Sequence, residues 1–286
     1  MMTTQANKLR ALLEKPGILN MPGCHDALSA KLIEQAGFDL GFMSGFAVSA
    51  ARLAMPDTGL ISYGEMVETG RNINSTVSIP MFGDGDTGFG NALNVKRTVQ
   101  GYASAGFACI MLEDQVMPKR CGHTKDKMVV SREESFSRIQ AAIDARNADG
   151  SDILIMARTD SRATDSLDEA IFRANKYIEL GADISFLEAP ESIDEMKEYC
   201  NQVPGHKMAN MIEHGKTPVL PPQQLEEIGY KIAVFPLSLV NASIMAMRQS
   251  LEMIKNGQEP TNVLDFEGLK TAVGFPEYYD EFDRYH

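Results

Sequence analysis

Two aspartates one glycine apart, Asp84 and Asp86 in Gly83-Asp84-Gly85-Asp86-Thr87-Gly88-Phe89-Gly90, follow directly on an apolar run. Extended backbone would send their side chains to the same face but well apart; the glycine allows a turn that brings both carboxylates to one site. A hard cation suits such a pair, and Mg²⁺ in particular keeps several waters and takes one or two direct carboxylates. A solvated turn is the plainer alternative, but the position at a strand end favours the metal. The spacing matches neither an EF-hand loop nor a phosphate-binding Gly-Lys-Ser/Thr loop. Glu113, at another strand end, is placed to complete the shell.

Further on, Cys121 stands in Lys119-Arg120-Cys121-Gly122-His123, where neighbouring cations lower a thiol pKa and a polar loop leaves the sulfur reachable. Such a thiol can carry a proton near neutral pH. Cys24, Cys109 and Cys200 show no CxxC spacing and are expected to be inert, with Cys109 packed inside a strand. Arg158, in Ala157-Arg158-Thr159-Asp160, can grip a carboxylate bidentately or form a structural salt bridge with an acid such as Glu188. Asn210 can donate to a carboxylate oxygen or satisfy local backbone groups. His25, His206 and His214 show no ligand spacing and are read as ordinary polar residues.

These residues share a position. Apolar runs at 18–21, 40–43, 79–82, 108–112, 153–157, 184–187, 207–209 and 232–235 are followed by Gly23, Ser44, Asp84, Glu113, Arg158, Glu188, Asn210 and Pro236. Helix-like stretches separate the runs, and alternating β and α patterns predict a parallel (β/α)8 TIM-type barrel. Its active site lies at the carboxyl ends of the strands. Helices are expected over 25–36 and 94–105, and capping boxes at Ser131/Glu134, Ser166/Glu169 and Ser192/Glu195 support the phase. The stretch 45–63 reads as a long loop on the catalytic side, carrying Pro56, Asp57 and Gly59.

The chain of 286 residues, 44% hydrophobic, is expected to form a single barrel domain over 1–286, with 257–286 as a C-terminal helical extension. In that tail Phe275, Tyr278, Tyr279 and Phe282 recur at helical spacing, fitting a docking helix. A formal net charge of -12, with scattered Lys and Arg, excludes nucleic acid and anionic membranes as natural partners. No apolar stretch reaches the ~18 residues of a membrane span. Residues 1–10 are polar and lack a signal-peptide core, so a cytoplasmic location is expected.

The same motifs resemble the isocitrate lyase/phosphoenolpyruvate mutase superfamily, whose lyases carry a Lys-Lys/Arg-Cys-Gly-His loop and an Asp-x-Asp-x-Gly metal turn. The likeness extends through Ser44-Gly45, Pro56-Asp57, Glu113-Asp114-Gln115, Glu188-Ala189, Asn210-Met211-Ile212-Glu213 and Phe235-Pro236-Leu237-Ser238. It implies a (β/α)8 barrel, a helix swapped between subunits of a dimer-based tetramer, and Mg²⁺, or Mn²⁺ in its place, holding a keto or hydroxy carboxylate. By resemblance, Asp57, Asp84, Asp86 and Glu113 serve the metal. Ser44, Gly45, Arg158, Glu188, Asn210 and Pro236 belong to the substrate site, Cys121 carries the proton, and Arg120, Gly122 and His123 bind the other carboxylate.

Cys121 resembles the carbon–carbon lyases and not the phosphonomutases or simple decarboxylases. Pro236 resembles lyases where oxaloacetate hydrolases tend to carry serine. Asn241 stands where methylisocitrate lyases have Arg, which points away from a third carboxylate and toward a di- rather than tricarboxylate, 2,3-dimethylmalate. Phe42 replaces a frequent Tyr, leaving water or Asp57 to take the C2 hydroxyl proton. Methylisocitrate lyase, an oxaloacetate decarboxylase or hydrolase, and a barrel that binds a Mg²⁺ carboxylate without turnover are the alternatives.

Overall fold

The structure is a computed structural model that describes residues 4–122, 127–148 and 150–286. His123, expected at the substrate carboxylate, lies outside the described residues. Eight parallel strands close into a barrel in sequence order: β1 Leu19–Cys24, β2 Gly41–Met43, β3 Met81–Asp84, β4 Cys109–Glu113, β5 Leu154–Thr159, β6 Ile184–Leu187, β7 His206–Asn210 and β8 Ile232–Phe235. The expected TIM-type fold is therefore present, each apolar run becoming a strand. Both faces of such strands are covered, which is why the sequence shows short continuous apolar runs rather than alternation.

Helices α1 Gln5–Glu14, α2 Ala27–Gln35, α3 Gly45–Val48, α4 Tyr63–Asn74, α5 Ala92–Ser104, α6 Arg132–Ala148, α7 Ser161–Thr164, α8 Leu167–Leu180, α9 Ile193–Gln202 and α10 Pro222–Ile228 complete the barrel unit. The chain divides into two compact units, Met1–Ser238 and Leu239–His286, so most of the helix before residue 257 groups with the tail. The second unit holds α11 Ser238–Lys255 from its second residue onward, α12 Phe266–Val273 and α13 Phe275–Asp283, the last carrying the expected aromatic repeat. Among the described residues no helix is long and apolar enough to cross a membrane.

The barrel interior explains where the polar residues stand. Side chains two apart on a strand share a face, and the inner core takes Met21, Phe42, Phe82, Met111, Met156, Phe186, Met208 and Val234. Two residues further along each strand direction come Gly23, Ser44, Asp84, Glu113, Arg158, Glu188, Asn210 and Pro236. The polar strand ends thus form the next inward layer above an apolar one. At the other end, α1 buries Ala6, Leu9, Leu12 and Leu13 in the same core as Leu19, Leu154 and Ile232 at the strand beginnings. This helix, which the polar composition of residues 1–10 concealed, plugs the barrel.

Local chemistry moves several expected boundaries. The helix expected over 25–36 starts at Ala27 because Asp26 and Ser29 form a capping box, and α5 starts at Ala92 because Asn91 and Asn94 form another. The stretch 45–63 is not all loop: Ser44 caps α3, and a π-helical turn over Ser49–Leu53 follows, ending at left-handed Ala54. Ser131, Ser166 and Ser192 do accept from the backbone of Glu134, Glu169 and Glu195. Those acids do not reach back to their caps; they pair with Arg138, with Arg132 and Arg173, and with Arg162. Glu195 also accepts from the Glu191 N–H at 2.8 Å, one residue before its cap.

Candidate active site

The inward layer lines a pocket at the carboxyl ends of the strands, enclosing about 500 Å³ including its mouth. Ser44, Asp57, Asp84, Cys121, Gly122, Arg158, Glu188, Asn210 and Pro236, all singled out in the sequence, line it. Gly45, Asp86, Glu113 and Arg120 lie outside this lining. Apart from Lys119, the remaining wall is apolar and includes Phe46, Phe186, Met208, Ile212, Val234 and Leu237.

The aspartate pair is built by its turn. Gly85 passes so close to the Met111 carbonyl that a Cβ would lie 2.7 Å from that oxygen, and Asp86 adopts φ 47. The turn lets the Asp86 N–H donate to Asp84 Oδ1 at 3.2 Å, while the Gly45 N–H donates to Asp84 Oδ2 at 3.0 Å. Gly45 therefore orients a carboxylate; its N–H is already engaged there. Ser44 donates its N–H to the Cys24 carbonyl and uses its hydroxyl to cap α3.

Lys119 enters this acid group from the loop after β4. Its Nζ lies 2.7 Å from both oxygens of Asp57 and 2.8 Å from Asp86 Oδ1, with all three side chains buried. The sequence alone assigns Lys119 no separate role, although its place in the five-residue motif is the available signal. Burial pushes the Asp86 carboxyl up to about 7, Lys119 opposing and Asp84 and Asp57 adding to the rise. Burial likewise lifts Glu113 well above the carboxylate range against the pull of Arg158 and Lys119.

Arg158 is held by acids on several sides. It makes a bidentate pair with Asp160 at 2.8 and 3.1 Å, and lies 3.2 Å from both Glu113 and Glu188. Both readings of this residue are present at once, since it pairs structurally with Glu188 and faces the pocket. Burial alone would raise the Asp160 carboxyl, but Arg158 and Lys127 hold it well below its usual range. Asn210 donates weakly to Glu188 at 3.3 and 3.4 Å, and its Oδ1 is buried with no hydrogen-bond partner. A buried acceptor left unpaired at a pocket wall marks a place for a ligand donor.

Cys121 is partly exposed, in no disulfide, and lines the pocket. Cys24 and Cys109 are buried, and burial raises both thiols far from the reactive range; Cys200 is pushed up to about 12 by the same cause. The three expected to be inert are thus protonated near neutral pH.

Among the described residues, no three His, Cys, Asp or Glu side chains stand as a ready ligand set for a metal. The chemistry of the donors nevertheless fits one. Asp57, Asp84, Asp86 and Glu113 are buried together with Lys119 and one edge of Arg158 as their cations, and Glu113 Oε1 has no hydrogen-bond partner. Burial disfavours the charged form of Asp86 and Glu113, and their neighbouring acids add to the rise. An oxygen-preferring divalent cation would relieve it.

Comparison with known proteins agrees with this geometry. The family model for phosphoenolpyruvate phosphomutase matches residues 9–255. The chain is 44% identical over 275 residues to 2,3-dimethylmalate lyase of Eubacterium barkeri, covering 96% of this chain and 93% of that one. It is 42% identical over 272 residues to 2-methylisocitrate lyase of Aeropyrum pernix, covering 95% and 85%. The crystal structure of a phosphonopyruvate hydrolase in complex with oxalate and Mg²⁺ superimposes with a TM-score of 0.84 at 29% identity, covering 99% of each chain. The chain belongs to the phosphoenolpyruvate mutase/isocitrate lyase family and is an enzyme of it.

Proposed function

We propose that this family member is a Mg²⁺-dependent carbon–carbon lyase that cleaves an alkyl-substituted 2-hydroxy-dicarboxylate, with 2,3-dimethylmalate, giving pyruvate and propionate, as the best fit. The pocket wall carries this reading. Its lining cations are Lys119 and Arg158, each already paired with buried acids, and the rest of the wall offers Phe46, Ile212, Val234 and Leu237 to alkyl groups. A third substrate carboxylate would find no uncommitted cation among these lining residues. The departure at Asn241 points the same way.

Asp57, Asp84, Asp86 and Glu113 would hold Mg²⁺, or Mn²⁺ in its place, directly or through water. When bound, the ion supplies positive charge that steadies the oxygens on C2. The C2 hydroxyl proton passes to Asp57 or to water as the C2–C3 bond breaks. The bonding pair moves to C3 and its carboxylate, and C2 becomes the ketone of pyruvate. Arg120 and His123 steady the resulting aci-carboxylate. Cys121 gives its thiol proton to C3, which completes propionate, and regains a proton from solvent. Arg158 and Asn210 orient the pyruvate half, and the closed loop keeps water from competing with the thiol.

The 42% identity to a methylisocitrate lyase favours one second reading, cleavage of 2-methylisocitrate to pyruvate and succinate. The reading also takes the protein as a dimer-based tetramer, as the family resemblance implies. Pyruvate release measured with Mg²⁺ from 2,3-dimethylmalate, 2-methylisocitrate and oxaloacetate in parallel decides the substrate. Fast release with propionate as co-product is expected. Preference for methylisocitrate, with succinate formed, would overturn the dicarboxylate reading while leaving the lyase chemistry standing.

A further inference from the structure

Cys121 sits between two backbone positions that are each gripped by a buried side chain from elsewhere in the same loop. On one side, the Gln115 amide pairs with both backbone groups of Arg120: Arg120 N–H donates to Oε1 at 2.9 Å, and Nε2 donates to the Arg120 carbonyl at 2.8 Å. On the other side, Lys127 Nζ donates to the Gly122 carbonyl at 2.6 Å and to Asp160 Oδ1 at 2.9 Å. Neither Gln115 nor Lys127 lines the pocket.

Both grips are anchored to the barrel. Gln115 lies two residues past the end of β4, its carbonyl accepts from Arg138 Nη1 at 3.0 Å, and it bridges in antiparallel fashion to Val129. Lys127 is 3% exposed along its side chain, and its partner Asp160 holds the pocket-lining Arg158 bidentately. Gly122 itself is seated tightly: a Cβ there would lie 2.6 Å from both Arg158 Nη2 and Glu188 Cγ. A lysine buried this completely is rare unless its charge is used, and here the charge joins the loop backbone to the residue that orients Arg158.

We propose that Gln115 and Lys127 are positioning residues that clamp the backbone on either side of Cys121 and so fix the thiol against the pocket. The kcat arm of the test below rests on the reading of Cys121 as proton donor; the alkylation arm does not. A proton donor misplaced by about 1 Å loses on the order of a hundredfold in rate, so the clamp controls kcat more than KM.

The test uses the full chain and its Lys127→Met, Lys127→Arg and Gln115→Ala variants. Site-resolved mass spectrometry follows alkylation of Cys121 by iodoacetamide, with Cys200 as internal reference. Lys127→Met is expected to speed Cys121 alkylation by about tenfold through local opening of the loop, leaving Cys200 unchanged. It should also lower kcat with 2,3-dimethylmalate roughly a hundredfold with little change in KM. Lys127→Arg keeps the charge and should restore most of both. If Lys127→Met fails to fold, Gln115→Ala carries the same test from the other side of the thiol. A Cys121 rate that stays at the wild-type value, or one that rises in parallel with Cys200, would overturn the clamp. If alkylation accelerates as expected in a protein with no lyase turnover, the clamp stands and the lyase reading falls.

Discussion

Glu113 and Asp114 are adjacent, both buried acids at the end of β4, yet they belong to two different regions. Burial raises both carboxyls, but Glu113 points into the barrel, where its Oε1 has no hydrogen-bond partner. Asp114 points outward into the helical layer and is richly satisfied there. It accepts from Thr159 Oγ1 at 2.7 Å, the Asp160 N–H at 2.9 Å, and Arg173 Nη1 and Tyr177 Oη at 3.1 Å each. The period of two residues per strand face makes this difference. The outer region spends its polar groups on one another and holds the frame; the inner region leaves groups unspent, and those are the ones available to a metal and a substrate.

Neutralising each of the two neighbours in turn should have opposite consequences. Asp114→Asn takes from Arg173 its fully buried acid partner, leaving it Glu169, and should cost about 1.5–3 kcal/mol of stability. Its folded fraction should still bind Mg²⁺ normally. Glu113→Gln should change stability by less than about 1.5 kcal/mol, while weakening Mg²⁺ binding about 10–100-fold. Denaturant unfolding and calorimetric titration with Mg²⁺ read both variants. Equal stability losses would erase the distinction between the two regions.

A smaller effect is expected with pH. Asp86 holds its proton more tightly folded than unfolded, its value moving from 3.8 to about 7. Between about pH 4 and pH 7 the unfolded chain has lost this proton while the folded chain keeps it. Stability of the metal-free protein therefore falls as pH rises through that window. Asp160 acts in the opposite sense, but only below its ordinary value, so it does not mask the slope. Asp86→Asn should flatten the fall in thermal midpoint measured in chelator. An unchanged slope would show that Asp86 does not keep its proton in the folded chain over that window.

The barrel and much of its pocket were legible because strand phase repeats. Each polar strand end continues an inward row by two residues, so Asp84, Arg158, Glu188 and Asn210 could be found from local pattern alone. What the pattern conceals depends on contacts between distant segments. Helix α1 hides its buried Leu9, Leu12 and Leu13 beyond a polar start, and nothing periodic announces that it plugs the barrel. Lys119 reaching Asp57, and Lys127 reaching Asp160, join residues far apart in the chain. Capping serines were legible, but the arginines that drew their glutamates away were not, because a salt bridge leaves no spacing rule.

In the proposed reaction Cys121 gives the final proton, and Cys121→Ala removes it. Turnover of 2,3-dimethylmalate should fall about 10²–10⁴-fold, while affinity for oxalate in the presence of Mg²⁺ stays near that of the wild type. Turnover that survives the substitution would contradict the account.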